Sequence, residues 1–163
     1  MVEIWDRHVA AEFGMKDPEA ALATMTEDAY VLNVPPMTGG FGKSGVREFY
    51  SRHFIPFIPP DIEATPISRT VGDDRIVDEA IYRFTHSLPM DWMVPGVGVT
   101  GRRVEVAVVG IIEFRDGLIA SEHLHWDQAS VLAQLGVLDA ATPAVLGAEA
   151  ANALLDPSRL PRG

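Results

Sequence analysis

Between Ile62 and Trp126 almost the whole chain reads as long strands, and this run restricts the possible folds more than any other feature. Ile62 to Val71, Ile76 to Ser87 and Val104 to Arg115 are rich in β-branched and aromatic residues. Asp73-Asp74 separates the first two, and Asp116-Gly117 makes a hairpin turn into a last strand, Leu118 to Trp126. Long strands joined by tight turns predict an antiparallel sheet. What precedes them is mostly helical. Ile4, Trp5, His8, Val9, Ala11, Glu12 and Phe13 recur with helical period within residues 2–14. Asp17-Pro18 starts a second helix, running to about Met25, with Asp17 as its cap. Ala29 to Val34 reads as a strand stopped by Pro35-Pro36 and a flexible Thr38 to Gly42 loop, after which Ser44 is placed to cap a third helix, Gly45 to about Phe54. Helices first, then a meander without βαβ alternation, predict an α+β domain with three N-terminal helices on one face of a curved sheet.

The 163 residues suffice for one such domain, expected over 1–138, followed by an Ala/Pro-rich tail, 139–163, in which Pro143 to Leu155 has a helical composition. A net charge of −10 without a Lys/Arg run argues against nucleic acid or an anionic membrane as partner. No apolar run reaches the ~18 residues of a membrane span, and Met1 to Asp6 lack a basic stretch followed by an apolar core, so a cytoplasmic protein is expected. With no cysteine, disulfides, thiolate nucleophiles and cysteine-held zinc drop out together.

The polar residues that could do chemistry concentrate in the last strand. Ser121, His123, His125 and Asp127 occupy alternate positions and so share one face if the strand is regular. Turned toward a cavity, a histidine beside a carboxylate is a general acid/base pair tunable near neutral pH. Two features compete with that reading: Asp127 directly precedes the helix that begins at Gln128 and can simply cap it, and the opposite face, with Leu118, Ala120, Leu124 and Trp126, is the more apolar one. His-x-His with one Asp supplies too few placed ligands for a metal site, so neither metal nor cofactor is expected. Asn33, the one amide in its strand, is suited to orient a carbonyl or enolate oxygen. Met90-Asp91-Trp92-Met93 has the composition of a lid over an apolar ligand.

Two segments resemble the nuclear-transport-factor-2-like superfamily and, within it, the SnoaL-like polyketide and ester cyclases. The first is Thr85-His86-Ser87 with Pro95-Gly96-Val97-Gly98-Val99-Thr100-Gly101-Arg102. The second is Phe114-Arg115-Asp116-Gly117-Leu118-Ile119 with Asp127 and Val131-Leu132-Ala133-Gln134-Leu135-Gly136. The resemblance spans about residues 5–137. It implies a cone-shaped, cystatin-like α+β barrel around one apolar cavity, pairing of two copies through the open sheet face, and a small hydrophobic molecule as ligand. It also implies Asp127 as acid/base, with His123 as its partner on the cavity side. His86 falls at the family's Thr-His position and shares a strand face with Tyr82, so Asn33, Tyr82, His86, Trp92 and His125 are the expected substrate contacts. The superfamily includes cyclases, isomerases and epoxide or lactone hydrolases as well as non-catalytic binding and dimerisation modules, and fold does not choose among them. Met90 to Gly96 and His125 to Ser130 also resemble a subgroup associated with dienelactone hydrolases, but the chain has neither Cys nor Gly-x-Ser-x-Gly. An Asp-Arg-Asp set of the epoxide-hydrolase kind does not assemble, because Arg83 and Arg115 fall on the wrong face or in the wrong place. The resulting expectation is cofactor-independent proton-transfer chemistry on a hydrophobic carbonyl compound.

Overall fold

Six strands form one curved, unclosed sheet in the order β2-β1-β6-β5-β4-β3. They are β1 (Met25–Asn33), β2 (Thr38–Phe41), β3 (Glu63–Val71), β4 (Arg75–Thr85), β5 (Arg103–Arg115) and β6 (Leu118–Trp126). Helices α1 (Val2–Val9), α2 (Pro18–Leu22) and α3 (Gly42–Phe49) pack on its concave face, and α4 (Gln128–Gln134) and α5 (Glu149–Leu155) follow the last strand. This computed structural model describes residues 1–139 and 147–156, so residues 143–146 of the expected tail helix lie outside it. No helix among the described residues is long and apolar enough to cross a membrane.

The local signals account for most boundaries. Asp17 accepts from the amides of Glu19 and Ala20, with Pro18 in the first helical position. Asp116 and Gly117 both have positive φ (54° and 79°), as a two-residue hairpin turn requires. α3 begins earlier than expected, at Gly42, with Phe41 and not Ser44 at its N-cap. Thr38–Phe41 of the expected loop is ordered as an edge strand, pressed so close to α3 that a Cβ on Gly40 would lie 2.4 Å from the Gly45 carbonyl oxygen. The sheet is mixed, not purely antiparallel, because β1 and β6 run parallel. The outer edge strand β3 carries Pro66 and a register shift between Pro66 and Ser68.

Two helices widen near their C-terminal ends. α1 continues through a π-helical turn, Ala10–Met15, and α3 through another, Tyr50–Phe54. Such turns re-aim side chains and recur at functional sites; here they hold Glu12 and Tyr50. The core beneath is apolar and aromatic, with Trp5, Phe49, Tyr50, Phe54, Phe84, Trp92, Ile112 and Ile119 all buried. Each large side chain of this kind contributes about 1.5–3 kcal/mol when fully buried.

Candidate active site

Within the concave side lies a cavity of about 620 Å³, and its lining is mostly apolar. Phe13, Phe49, Phe54, Phe84, Leu124, Trp92 and Trp126 supply the walls, while Glu12, Tyr50 and Glu122 bring polar groups to it. These three belong to α1, α3 and β6 respectively or to their wide turns. They converge on His8, which is fully buried and stacks on Trp5 with ring centroids 5.7 Å apart. His8 Nε2 lies 2.9 Å from Glu122 Oε1, 3.3 Å from Glu12 Oε1 and 3.1 Å from the Tyr50 hydroxyl. Tyr50 in turn donates to Glu122 over 3.4 Å.

The other side of the imidazole fixes its protonation. Thr24 Oγ1 donates its one proton to the Ala21 carbonyl (2.6 Å), so at 2.6 Å from His8 Nδ1 it serves as acceptor, and the Ala21 carbonyl at 3.2 Å can only accept as well. We therefore assign the hydrogen of Nδ1 from the network. Nε2 then faces two carboxyl groups and a phenol. A bare lone pair there is repelled, and a proton on Nε2 is held. Burial opposes the charge on His8, but Glu122 and Glu12 outweigh it and raise the His8 pKa well above its ordinary 6.5. Glu12 is pushed the other way from a normal carboxylate: burial raises its pKa above 4.5, against the opposing pull of His8. Burial, with Glu12 and Glu122 nearby, also raises Tyr50 well above 10, so its hydroxyl stays protonated. The donor atoms of His8, Glu12 and Glu122 lie within 4.8 Å of one another, close enough to surround a small cation, whether proton or metal.

On the other side of Trp5, Arg69 ties β3 to α1 and β4. Its Nη1 donates to Asp6 (2.8 Å) and its Nε and Nη2 to Asp78 (2.6 and 2.7 Å), while Trp5 Nε1 also donates to Asp78 (2.6 Å). Asp6, Arg69, Asp78 and Glu79 all line the cavity.

Residues 5–122 match the SnoaL-like domain. The chain belongs to that family. Compared with curated protein sequences it has no match. Solved structures share the fold at low identity. One is a putative SnoaL-like polyketide cyclase from Jannaschia sp. CCS1 (TM-score 0.65, 18% identity, 84% of this chain and 94% of that one). Another is a hypothetical protein with a ketosteroid-isomerase-like fold from Catenulispora acidiphila (0.63, 20%, 86% and 98%). A third is AclR, a putative hydroxylase from Streptomyces galilaeus (0.60, 19%, 84% and 85%).

In this SnoaL-like chain the residues singled out from sequence divide in two. Asn33, Tyr82 and Trp92 line the cavity. Asn33 Nδ2 donates to Thr38 Oγ1 (3.1 Å), which itself donates to the Trp92 carbonyl (2.5 Å), so the strand end and the Met90 to Met93 segment are clasped together. Burial raises the Tyr82 pKa to about 12. The rest lie elsewhere. His123 and His125 do not line the cavity: β6 pairs His123 with Ile111 and His125 with Val109, while Leu124 and Trp126, paired with Gly110 and Val108, line it. His123 instead meets Tyr30, its Nε2 2.8 Å from the phenol oxygen. Ser121 is buried, but its hydroxyl donates to Glu113. Asp127 lies outside the lining and accepts from the Ser130 amide (3.1 Å) as cap of α4. β4 ends at Thr85, so His86 leaves the strand face and lies buried in the following loop, where Nδ1 takes the Thr100 amide (3.3 Å) and Nε2 has no partner. Burial lowers its pKa.

One residue explains the reversal. Ile119, opposite Phe114, belongs to the core, and strict alternation from it would turn Ser121, His123 and His125 inward. Ala120 is an extra residue at a register shift, so from there on the even positions face the cavity. His8, Glu12, Tyr50 and Glu122 escaped the sequence reading. Two signals were present: His8 and Glu12 stand four apart on one helix face, and Glu122 is the one charge among Ala120, Leu124 and Trp126.

Proposed function

We propose that the protein is a cytoplasmic small-molecule enzyme that performs cofactor-independent proton transfer on a hydrophobic carbonyl compound, of the cyclase, isomerase or hydrolase type. The observation that carries this reading is the buried Glu122–His8 pair at 2.9 Å, set in an otherwise apolar, aromatic cavity. Glu122 takes a proton from the carbon next to the carbonyl, and the electron pair moves onto the carbonyl oxygen. His8 holds Glu122 in place and supplies a fixed positive charge in a water-poor site, where such charges act more strongly than in water. Tyr50, a neutral donor in contact with both, and Asn33 are the hydrogen-bond donors for the developing enolate. Glu122 returns the proton at a second carbon; in a hydrolase it takes its proton from a water instead, the water oxygen bonds to the carbonyl carbon, and the proton passes to the departing oxygen as its bond to that carbon breaks.

The test is deuterium exchange. Bicyclic ketones incubated with the protein in D₂O are followed by proton NMR at the carbon next to the carbonyl. Exchange faster than buffer in the wild type, and lost in Glu122→Gln, is the expected result; equal exchange in both would sink the assignment of Glu122.

Pairing of two copies belongs to the same proposal. Val77, Ala107, Val109 and Ile111 are half-buried on the sheet face away from the cavity and offer an apolar stripe on β4 and β5. Light scattering should give twice the chain mass at micromolar concentration, and a monomer mass would remove this part.

A further inference from the structure

We infer that the ligand is an organic cation, an apolar body bearing a protonated amine, with the ammonium seated against Glu12. The inference rests on the cavity being the ligand site, as the reading above has it, but not on turnover. It follows from charge balance. Five acidic residues line the cavity, namely Asp6, Glu12, Asp78, Glu79 and Glu122, against Arg69 as the one permanent cation. Arg69 already directs Nε and one N–H of each Nη to Asp78 and Asp6, so its single charge is matched by two carboxylates before any ligand carboxylate or phosphate arrives. A ligand that arrives already anionic therefore meets an excess of carboxyl groups over cations in this lining.

The deep end is one positive charge short. Two carboxyl groups, Glu12 and Glu122, share one imidazole, and Glu122 lies nearer to it, at 2.9 Å against 3.3 Å. Glu12 therefore has the weaker claim on His8. The groups facing it are His8 on its own helix, Tyr50 beyond α3, Glu122 on β6 and Tyr82 on β4, and among them only His8 carries positive charge. Burial raises the Glu12 pKa, the direction expected of a carboxyl group without a full counter-charge. A ligand ammonium supplies that charge: it donates to the Glu12 carboxylate, any proton held there passes to solvent, and no covalent bond of the ligand changes. The walls suit such a guest. Phe49, Tyr50 and Phe54 form a cluster with every pair of ring centroids 5.7–5.9 Å apart, and all three line the cavity, an aromatic surface that suits a cation and an apolar body. A bare metal ion would satisfy the charge but leave the aromatic walls and most of the 620 Å³ without contact. Glu122 and His8 stay free for the reacting carbon.

Calorimetric titration of the full chain near neutral pH with 1-naphthylmethylamine, 1-naphthylmethanol and 1-naphthoate tests the inference. The amine should bind about tenfold or more tightly than the alcohol, with the naphthoate not saturable. In Glu12→Gln the amine and alcohol should bind alike, while Glu12→Asp, which keeps the charge, should retain a preference for the amine. Alcohol binding as tight as the amine's, no amine binding, or a preference that survives in a folded Glu12→Gln overturns the inference. So does Zn²⁺ alone, if equimolar ion displaces the amine, because the missing charge is then a metal ion's. Loss of ketone exchange in Glu122→Gln tests the acid/base reading separately, so the two can fail independently.

Discussion

β6 carries ionisable side chains on both of its faces, and the two faces meet different fates. Inward, Glu122 meets His8, Glu12 and Tyr50 out of reach of water, and each of those three partners has its pKa displaced. Outward, His123 touches one phenol and His125 is exposed. The residue types are similar. The difference is desolvation, which turns an ordinary ion pair into a coupled proton store and leaves its neighbours one position away as surface groups. Chemistry-bearing residues announce a site only when the strand's parity is known.

The strongest challenge to this contrast is to exchange the two faces. Glu122→His with His123→Glu, and Leu124→His with His125→Leu, sets histidines against the core and turns the carboxylate outward. We expect loss of the cooperative thermal transition, since several buried contacts fail together; a stable, folded variant would show that the two faces are interchangeable. Next in size, Glu122→Gln should lower ketone exchange by ~10²-fold or more, while His123→Gln and Asp127→Asn stay within about threefold of wild type. Exchange rates that rank the other way would move the site to the outer face.

The pH dependence of stability sharpens the comparison. The His8 pKa is raised in the fold, so its contribution is fully present below its ordinary 6.5 and is lost as pH rises through the folded value. Glu12 also holds its proton longer folded than unfolded, so above its ordinary 4.5 rising pH works in the same direction. The melting temperature should therefore fall as pH rises above the ordinary histidine value of 6.5, and fall less in Glu12→Gln. An identical slope in wild type and variant would contradict the coupling. The smallest effect belongs to the cap: Asp127→Ala should cost about 1 kcal/mol in urea unfolding and Asp127→Asn much less, with both still active.

The elements with local causes were legible: Asp17-Pro18 opening α2, Asp116-Gly117 turning β5 into β6, Asp127 capping α4. β2 was not, because Thr-Gly-Gly-Phe has no alternation and is a strand only through β1 beside it. The cavity wall was read in part, since Asn33, Tyr82 and Trp92 follow from strand position and composition. The inner cluster needed two facts that residue types do not carry. One is an insertion at Ala120, inside a run where any residue could be the extra one. The other is the meeting of three distant segments of chain, around residues 8–12, 50 and 122, which tertiary packing alone decides.

The two outermost strands bear on how this protein behaves when crowded. β3 ends the sheet on one side with Pro66 and a register shift, and β2 ends it on the other with four residues folded tightly under α3. A proline cannot donate, a shifted strand breaks the template, and a short covered one presents little backbone to a newcomer. Neighbouring copies thus find no long ladder to extend into a filament. Contacts between molecules fall instead to side-chain surfaces, which can separate again.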